Sequence, residues 1–143
     1  TKNVDLTNES WKIFFLRFKV LNKLHLTNSI IDTNIINHIY ASDLDFTSSK
    51  IIWPFKSAFM GINSRIKKIV FRNINLNSSI LHEYIDFQTY LLIFHLDLSQ
   101  NKLEYFGENF ANLKFLNYLN LSSNPLKHIS FTNDIFFKEF NID

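Results

Sequence analysis

Two stretches of this 143-residue chain align position for position. Ile93-Phe94-His95-Leu96-Asp97-Leu98-Ser99-Gln100-Asn101-Lys102-Leu103 and Leu116-Asn117-Tyr118-Leu119-Asn120-Leu121-Ser122-Ser123-Asn124-Pro125-Leu126 both read L-x-x-L-x-L-x-x-N-x-L, with Ile93 in the first position. Self-similarity at a period of 20–50 residues marks a chain assembled from stacked units, none of which can bury its apolar face alone. The L-x-L core has the two-residue period of a strand, so its leucines point to one face and the residue between them to the other. Parallel stacking of such strands about 4.8 Å apart buries the leucines and leaves the x positions on an open sheet. The Asn that follows can both donate to and accept from backbone groups that the turn leaves unpaired.

A three-residue cadence carries the repeat toward the N-terminus. Phe110, Leu113 and Leu116 lead into Leu119 and Leu121; Phe87, Tyr90 and Ile93 into Leu96 and Leu98; Phe15, Phe18 and Leu21 into Leu24 and Leu26. Met60, Asn63 and Ile66 before Ile69 and Phe71, and Ile35, His38 and Ala41 before Leu44 and Phe46, are weaker copies. Five repeats result, with strand cores at Leu24, Leu44, Ile69, Leu96 and Leu119, and Phe137-x-x-Phe140-x-Ile142 reads as the opening of a sixth. The run Ile13-Phe14-Phe15-Leu16 then belongs to the returning side of a repeat rather than to a membrane-active helix. At the Asn position the first two repeats carry Ser29 and Ser49, which can still hydrogen-bond the turn. The third carries Ile74, which cannot, and Asn73 would replace it only if the turn shifted by one residue.

The pattern resembles the leucine-rich-repeat (LRR) family, and within it the extracellular "typical" class of animals. Phe59 and Phe110 fit the aromatic that precedes the next strand in that class, and Ser122-Ser123-Asn124-Pro125-Leu126 resembles a turn of Toll-type ectodomains and secreted insect LRR immune proteins. Ile69-Val70-Phe71-Arg72-Asn73 is similar to strands of mosquito LRR immune proteins. The resemblance implies an α/β solenoid: a right-handed superhelix with a concave parallel sheet and an irregular or short-helical convex side. Residues 1–143 would form a single domain, read as a fragment of a longer solenoid because no polar cap is evident at either end. It further implies a non-catalytic module that binds a protein or a pathogen-derived macromolecule, in an extracellular, innate-immune setting.

Composition narrows the remaining options. With no cysteine, disulfide frameworks, thiolate metal sites and cysteine nucleophiles are excluded. The only two glycines, Gly61 and Gly107, cannot build a phosphate cradle. A net charge of +2, with Arg65, Lys67, Lys68 and Arg72 the densest basic group, is too little for nucleic acid. No stretch approaches the roughly 18 apolar residues of a membrane span. The histidines His25, His38, His82, His95 and His128 contain no H-E-x-x-H pair, and no G-x-S-x-G elbow is present. Neither a metal, a cofactor nor an enzymatic activity is expected.

The candidate binding face is the set of x positions. Three columns result: Lys23, Asp43, Lys68, His95 and Tyr118; His25, Asp45, Val70, Asp97 and Asn120; Thr27, Thr47, Arg72, Ser99 and Ser122. The candidate ligand-binding residues are Lys23, His25, Asp43, Asp45, Lys68, Arg72, His95, Asp97, Tyr118 and Asn120, with Arg72 and Tyr118 the preferred anchors, since Arg and Tyr carry much interface energy. Three Asn-x-Ser triplets, at Asn8, Asn77 and Asn120, are glycosylation acceptors in a secreted protein; Asn77 and Asn8 are the candidates, and Asn120 lies within a strand. Trp53-Pro54-Phe55 is expected on the convex side as packing. The competing reading is assembly, in which the repeats self-associate through an exposed end strand or convex aromatics.

Overall fold

The computed structural model describes residues 4–8, 10–17, 21–33, 40–53, 66–85, 92–107, 110, 113–130 and 139–142. In chain order the first half holds β1 (Asp5–Leu6), α1 (Ser10–Arg17), β2 (Leu21–His25), β3 (Ile30–Asp32), β4 (Ala41–Asp45) and β5 (Lys50–Ile52). The second holds β6 (Lys68–Val70), α2 (Ser78–Tyr84), β7 (His95–Asp97), β8 (Tyr105–Phe106), β9 (Tyr118–Asn120), β10 (His128–Ile129) and β11 (Glu139–Asn141). Strands β2, β4, β6, β7, β9 and β11 form one parallel sheet of six, each bonded to the sheet strand before and after it in the chain. Leu24, Leu44, Ile69, Leu96, Leu119 and Phe140 are partners across it.

The repeated sequence positions become columns of the core. Leu44, Ile69, Leu96 and Leu119 are buried, as are Phe46, Phe71, Leu98 and Leu121 two residues later. Two-residue periodicity explains both columns: each pair flanks an x residue whose side chain leaves by the opposite face. Ala41, Ile66, Ile93 and Leu116, three residues before, close a third buried column. Phe46 and Phe71 occupy leucine positions and stack on each other with centroids 5.5 Å apart, so the substitution fills neighbouring repeats together. The result is sheet-rich and repeat-like, with a continuous apolar interior under the large sheet.

The first five strands of the large sheet are each followed by the same turn. Asn28, Ser48, Asn73, Gln100 and Ser123 take positive φ between 52° and 58°, one residue before Ser29, Ser49, Ile74, Asn101 and Asn124. The turn at Asn73 is therefore in register with the others and has not shifted; Asn73 is exposed and donates outward to Ser48 Oγ at 3.0 Å. Ile74 is instead buried, and its backbone N–H is satisfied from the next repeat: Asn101 Oδ1 accepts from Ile74 N at 3.1 Å and from Leu76 N at 3.0 Å. Asn101 Nδ2 donates to the carbonyls of Phe71, Leu98 and Ser99. Asn124 repeats the pattern on Leu98, Leu121 and Leu103. Ser49 Oγ does a reduced version, donating to the Leu26 carbonyl and accepting from Ser29 N.

Beyond the turn the chain runs into short strands that the repeat pattern does not announce. β1, β3 and β5 pair in parallel as a second sheet, and β8 pairs with β10 as a third. Their inward residues, Leu6, Ile31, Ile51 and Phe106, are buried and extend the same interior. Helix α2 starts at Asn77, whose side chain accepts from Ile80 N at 2.8 Å, the usual service of an N-cap asparagine. Ser78 Oγ accepts from Glu104 N and Tyr105 N, tying that helix to β8. Ile13-Phe14-Phe15-Leu16 lies within α1, with Ile13 59% and Phe14 45% exposed. Among the described residues no helix is long and apolar enough to cross a membrane.

Candidate functional site

The face of the six-stranded sheet opposite the core carries the x residues. Lys23, Asp43, Lys68, His95 and Tyr118 are cross-strand partners in one row, and His25, Asp45, Val70, Asp97 and Asn120 in the next. Backbone bonds from Asn28 N to Thr47 O, Ser48 N to Arg72 O, Asn73 N to Ser99 O and Gln100 N to Ser122 O carry the alignment through the third row. All ten candidate ligand-binding residues therefore share one surface. His25 and His95 stand in different rows on strands three apart. Among the described residues no three metal-ligating side chains gather.

The geometry divides this face. At the β2–β4 end the side chains pair with one another across the strands: Lys23 Nζ lies 4.0 Å from Asp43 Oδ2, and His25 Nδ1 lies 3.3 Å from Asp45 Oδ2. From β6 to β9, Lys68 and Arg72 form no ion pair among the described residues, and Arg72 is exposed. Next to them His95 and Tyr118 stack almost parallel, centroids 4.0 Å apart with 2° between planes. Val70, in the middle row, is buried and sets an apolar spot between Asp45 and Asp97.

The carboxylates of the middle row also hold the strand ends. Asp45 Oδ1 accepts from Thr47 N at 2.9 Å and Thr47 Oγ1 at 2.7 Å. Asp97 Oδ1 does the same for Ser99 N at 2.9 Å and Ser99 Oγ at 2.6 Å. Asn120 Oδ1 serves Ser122 N and Oγ in the same manner. Such side-chain-to-backbone bonds two residues on are what Asp, Asn, Ser and Thr offer at strand ends. One oxygen of each aspartate is thus occupied. The recurring D-x-[ST] triplets were the signal for this double role. Asp5-Leu6-Thr7 repeats the device at β1, and the two bonds from Thr7 hold the Asp5 carboxyl below its ordinary range.

The remaining candidates lie elsewhere. Asn77 is exposed at the start of α2 with its Oδ1 in the cap, and Asn8 is exposed with its Oδ1 accepting from Ser10 N. Trp53 is half-buried against the core and packs near Tyr84 at 5.7 Å; Pro54 and Phe55 lie outside the described residues, as do His38, Phe59, Gly61 and Arg65. His82 stacks on Tyr105 at 5.0 Å, and burial lowers its pKa. No protein-family model and no curated protein matches the chain.

Proposed function

We propose that this chain is a leucine-rich-repeat module, a solenoid whose concave parallel sheet recognises a protein or a pathogen-derived macromolecule without catalysis. The observation that carries this reading is the row structure of the open face: ten polar, charged or aromatic side chains held in register by a rigid hydrogen-bonded sheet. Binding by such a surface works through many weak contacts around a few anchors. The β6–β9 half supplies the anchors, since Lys68 and Arg72 form no ion pair among the described residues and stand beside the stacked His95 and Tyr118 rings. An extracellular, innate-immune setting follows from the family resemblance, with Asn8 and Asn77 as exposed glycosylation acceptors.

A photo-crosslinking residue at Tyr118, in the chain displayed to extracellular fluid, captures the partner, and the Asp45→Asn/Asp97→Asn pair then tests the face. Asparagine is the right replacement because Asn120 already holds Ser122 as the aspartates hold Thr47 and Ser99, so charge is removed and the strand-end bonds stay. Binding lost together with Arg72→Ala supports the reading. Crosslinks that are unaffected by these changes overturn it. Intact mass before and after deglycosylation reads Asn8 and Asn77 directly.

Self-association is the second reading, and one observation favours it. Beside β2, at one end of the large sheet, an apolar groove of about 350 Å3 is lined by Leu6, Trp11, Phe14, Leu21, Leu24 and Leu26. A second copy seated there would make the mass in solution rise with concentration, and Phe14→Glu would abolish that rise.

A further inference from the structure

Along the edge where β7 and β9 begin, the polar face gives way to a cleft of about 410 Å3, lined by Lys67, Leu92, Phe94, Lys114, Phe115 and Asn117. Its floor is rigid, because the Lys67 carbonyl accepts from Phe94 N and His95 N, and the Phe94 carbonyl accepts from Asn117 N and Tyr118 N. Three large apolar side chains nevertheless face solvent in it: Leu92 is 44%, Phe94 42% and Phe115 59% exposed. The register shows how unusual this is. At the position of Phe94 the neighbouring repeats carry Asn22, Ser42, Lys67 and Asn117, all polar. Lys67 and Lys114 are exposed, and among the described residues neither forms an ion pair.

We propose that this cleft is a second binding site, for an acidic protein segment that inserts one large apolar side chain between flanking carboxylates. The inserted side chain packs on Leu92, Phe94 and Phe115, and the carboxylates meet Lys67 and Lys114. The volume lies at the lower end of the roughly 300–1,000 Å3 of ligand pockets, which suits one side chain and its adjoining backbone. Charge complementarity selects the acidic partner: a basic segment would bring like charges against two unpaired lysines. The site extends the binding reading to the edge of the sheet and uses none of the face residues, so each stands or falls by its own variants.

The test uses the full chain and three fluorescein-labelled peptides: a central tryptophan flanked on each side by two glutamates, the same with lysines for glutamates, and the same acidic peptide with alanine for tryptophan. Fluorescence anisotropy is measured on the native chain, on Lys67→Glu/Lys114→Glu and on Phe115→Ala, all changes at exposed positions. The expected result is saturable binding of the acidic tryptophan peptide, weakened at least tenfold by either variant and by the alanine replacement. The lysine-flanked peptide should prefer the charge-reversed variant. Three results overturn the proposal: no saturable binding, binding indifferent to Phe115 or the central tryptophan, or peptide preference unchanged by charge reversal. Co-sedimentation with phosphatidylcholine–phosphatidylglycerol vesicles that the acidic peptide does not compete away also overturns it, in favour of a lipid.

Discussion

Replacing Asn101 by alanine tests whether the hydrogen-bond ladder, rather than apolar stacking alone, holds the repeats in register. Asn101 is 7% exposed and its side chain serves five backbone groups. Two of them keep another partner when it is removed: the Leu98 carbonyl still accepts from Asn124 Nδ2, and the Ser99 carbonyl from Asn73 N. Two backbone donors do not, namely Ile74 N and Leu76 N. A buried polar group left unpaired costs about 1–3 kcal/mol, and water entering the vacated space recovers part of it, so the loss for the two should be about 2–4 kcal/mol. With a urea m-value of about 2 kcal/mol/M, the unfolding midpoint falls by about 1–2 M. Asn101→Ser should recover part of this, because Ser49 performs both a donor and an acceptor service from the equivalent position. A midpoint shift below about 0.5 M for alanine, or serine no better than alanine, would refute the ladder argument.

Leu119→Ala removes a fully buried side chain partnered by Leu96 and Phe140 and should cost about 2–5 kcal/mol in the same urea assay. Gln100→Gly should gain up to about 1 kcal/mol, since glutamine bears positive φ poorly; Asn73→Gly should be close to neutral, because asparagine tolerates that region. His82 resists protonation in the folded chain, so its contribution is intact above its ordinary value of 6.5 and is lost as pH falls below it, where the unfolded imidazole takes up the proton first. Thermal midpoints between pH 8 and pH 5 should therefore decline less steeply in His82→Phe than in the native chain. Glu104→Ala should change stability by less than about 0.5 kcal/mol despite the 2.7 Å pair with Lys127, because both partners are more than half exposed.

The large sheet was legible wherever an apolar period of two coincided with the long repeat. Leu24, Leu44, Ile69, Leu96 and Leu119 are partners across neighbouring strands, and Phe140 marks a sixth strand as its spacing suggested. The x residues followed from that register, so the rows of the face were legible too. Their division was not. Whether Asp43 meets Lys23 or stays free depends on neighbours some 20 residues away and on side-chain reach, which periodicity does not encode. The second and third sheets were missed because Ile30–Asp32, Lys50–Ile52 and Tyr105–Phe106 are too short to show any period. At Ile13–Leu16, four consecutive apolar residues satisfy helix and extended chain equally, and the helix was settled by context. Ile74 cannot give the preceding turn the side-chain bonds that Asn101 and Asn124 give, and there Ser49 N donates to the Phe46 carbonyl instead, at 3.0 Å.

Because each strand of the large sheet bonds only the large-sheet strands before and after it in the chain, every pairing closes a loop of similar length. The steps from Leu24 to Leu44, Ile69, Leu96, Leu119 and Phe140 are 20, 25, 27, 23 and 21 residues. Closure entropy grows only as the logarithm of loop length, so the shortest and longest steps differ by about 0.3 kcal/mol. No pairing waits on a distant part of the chain. Growth can begin at any adjacent pair and lengthen in either direction at nearly uniform cost, as a zipper does. A residue inserted between strands is then almost free in polymer terms, and one inserted within a strand turns its leucines out into water.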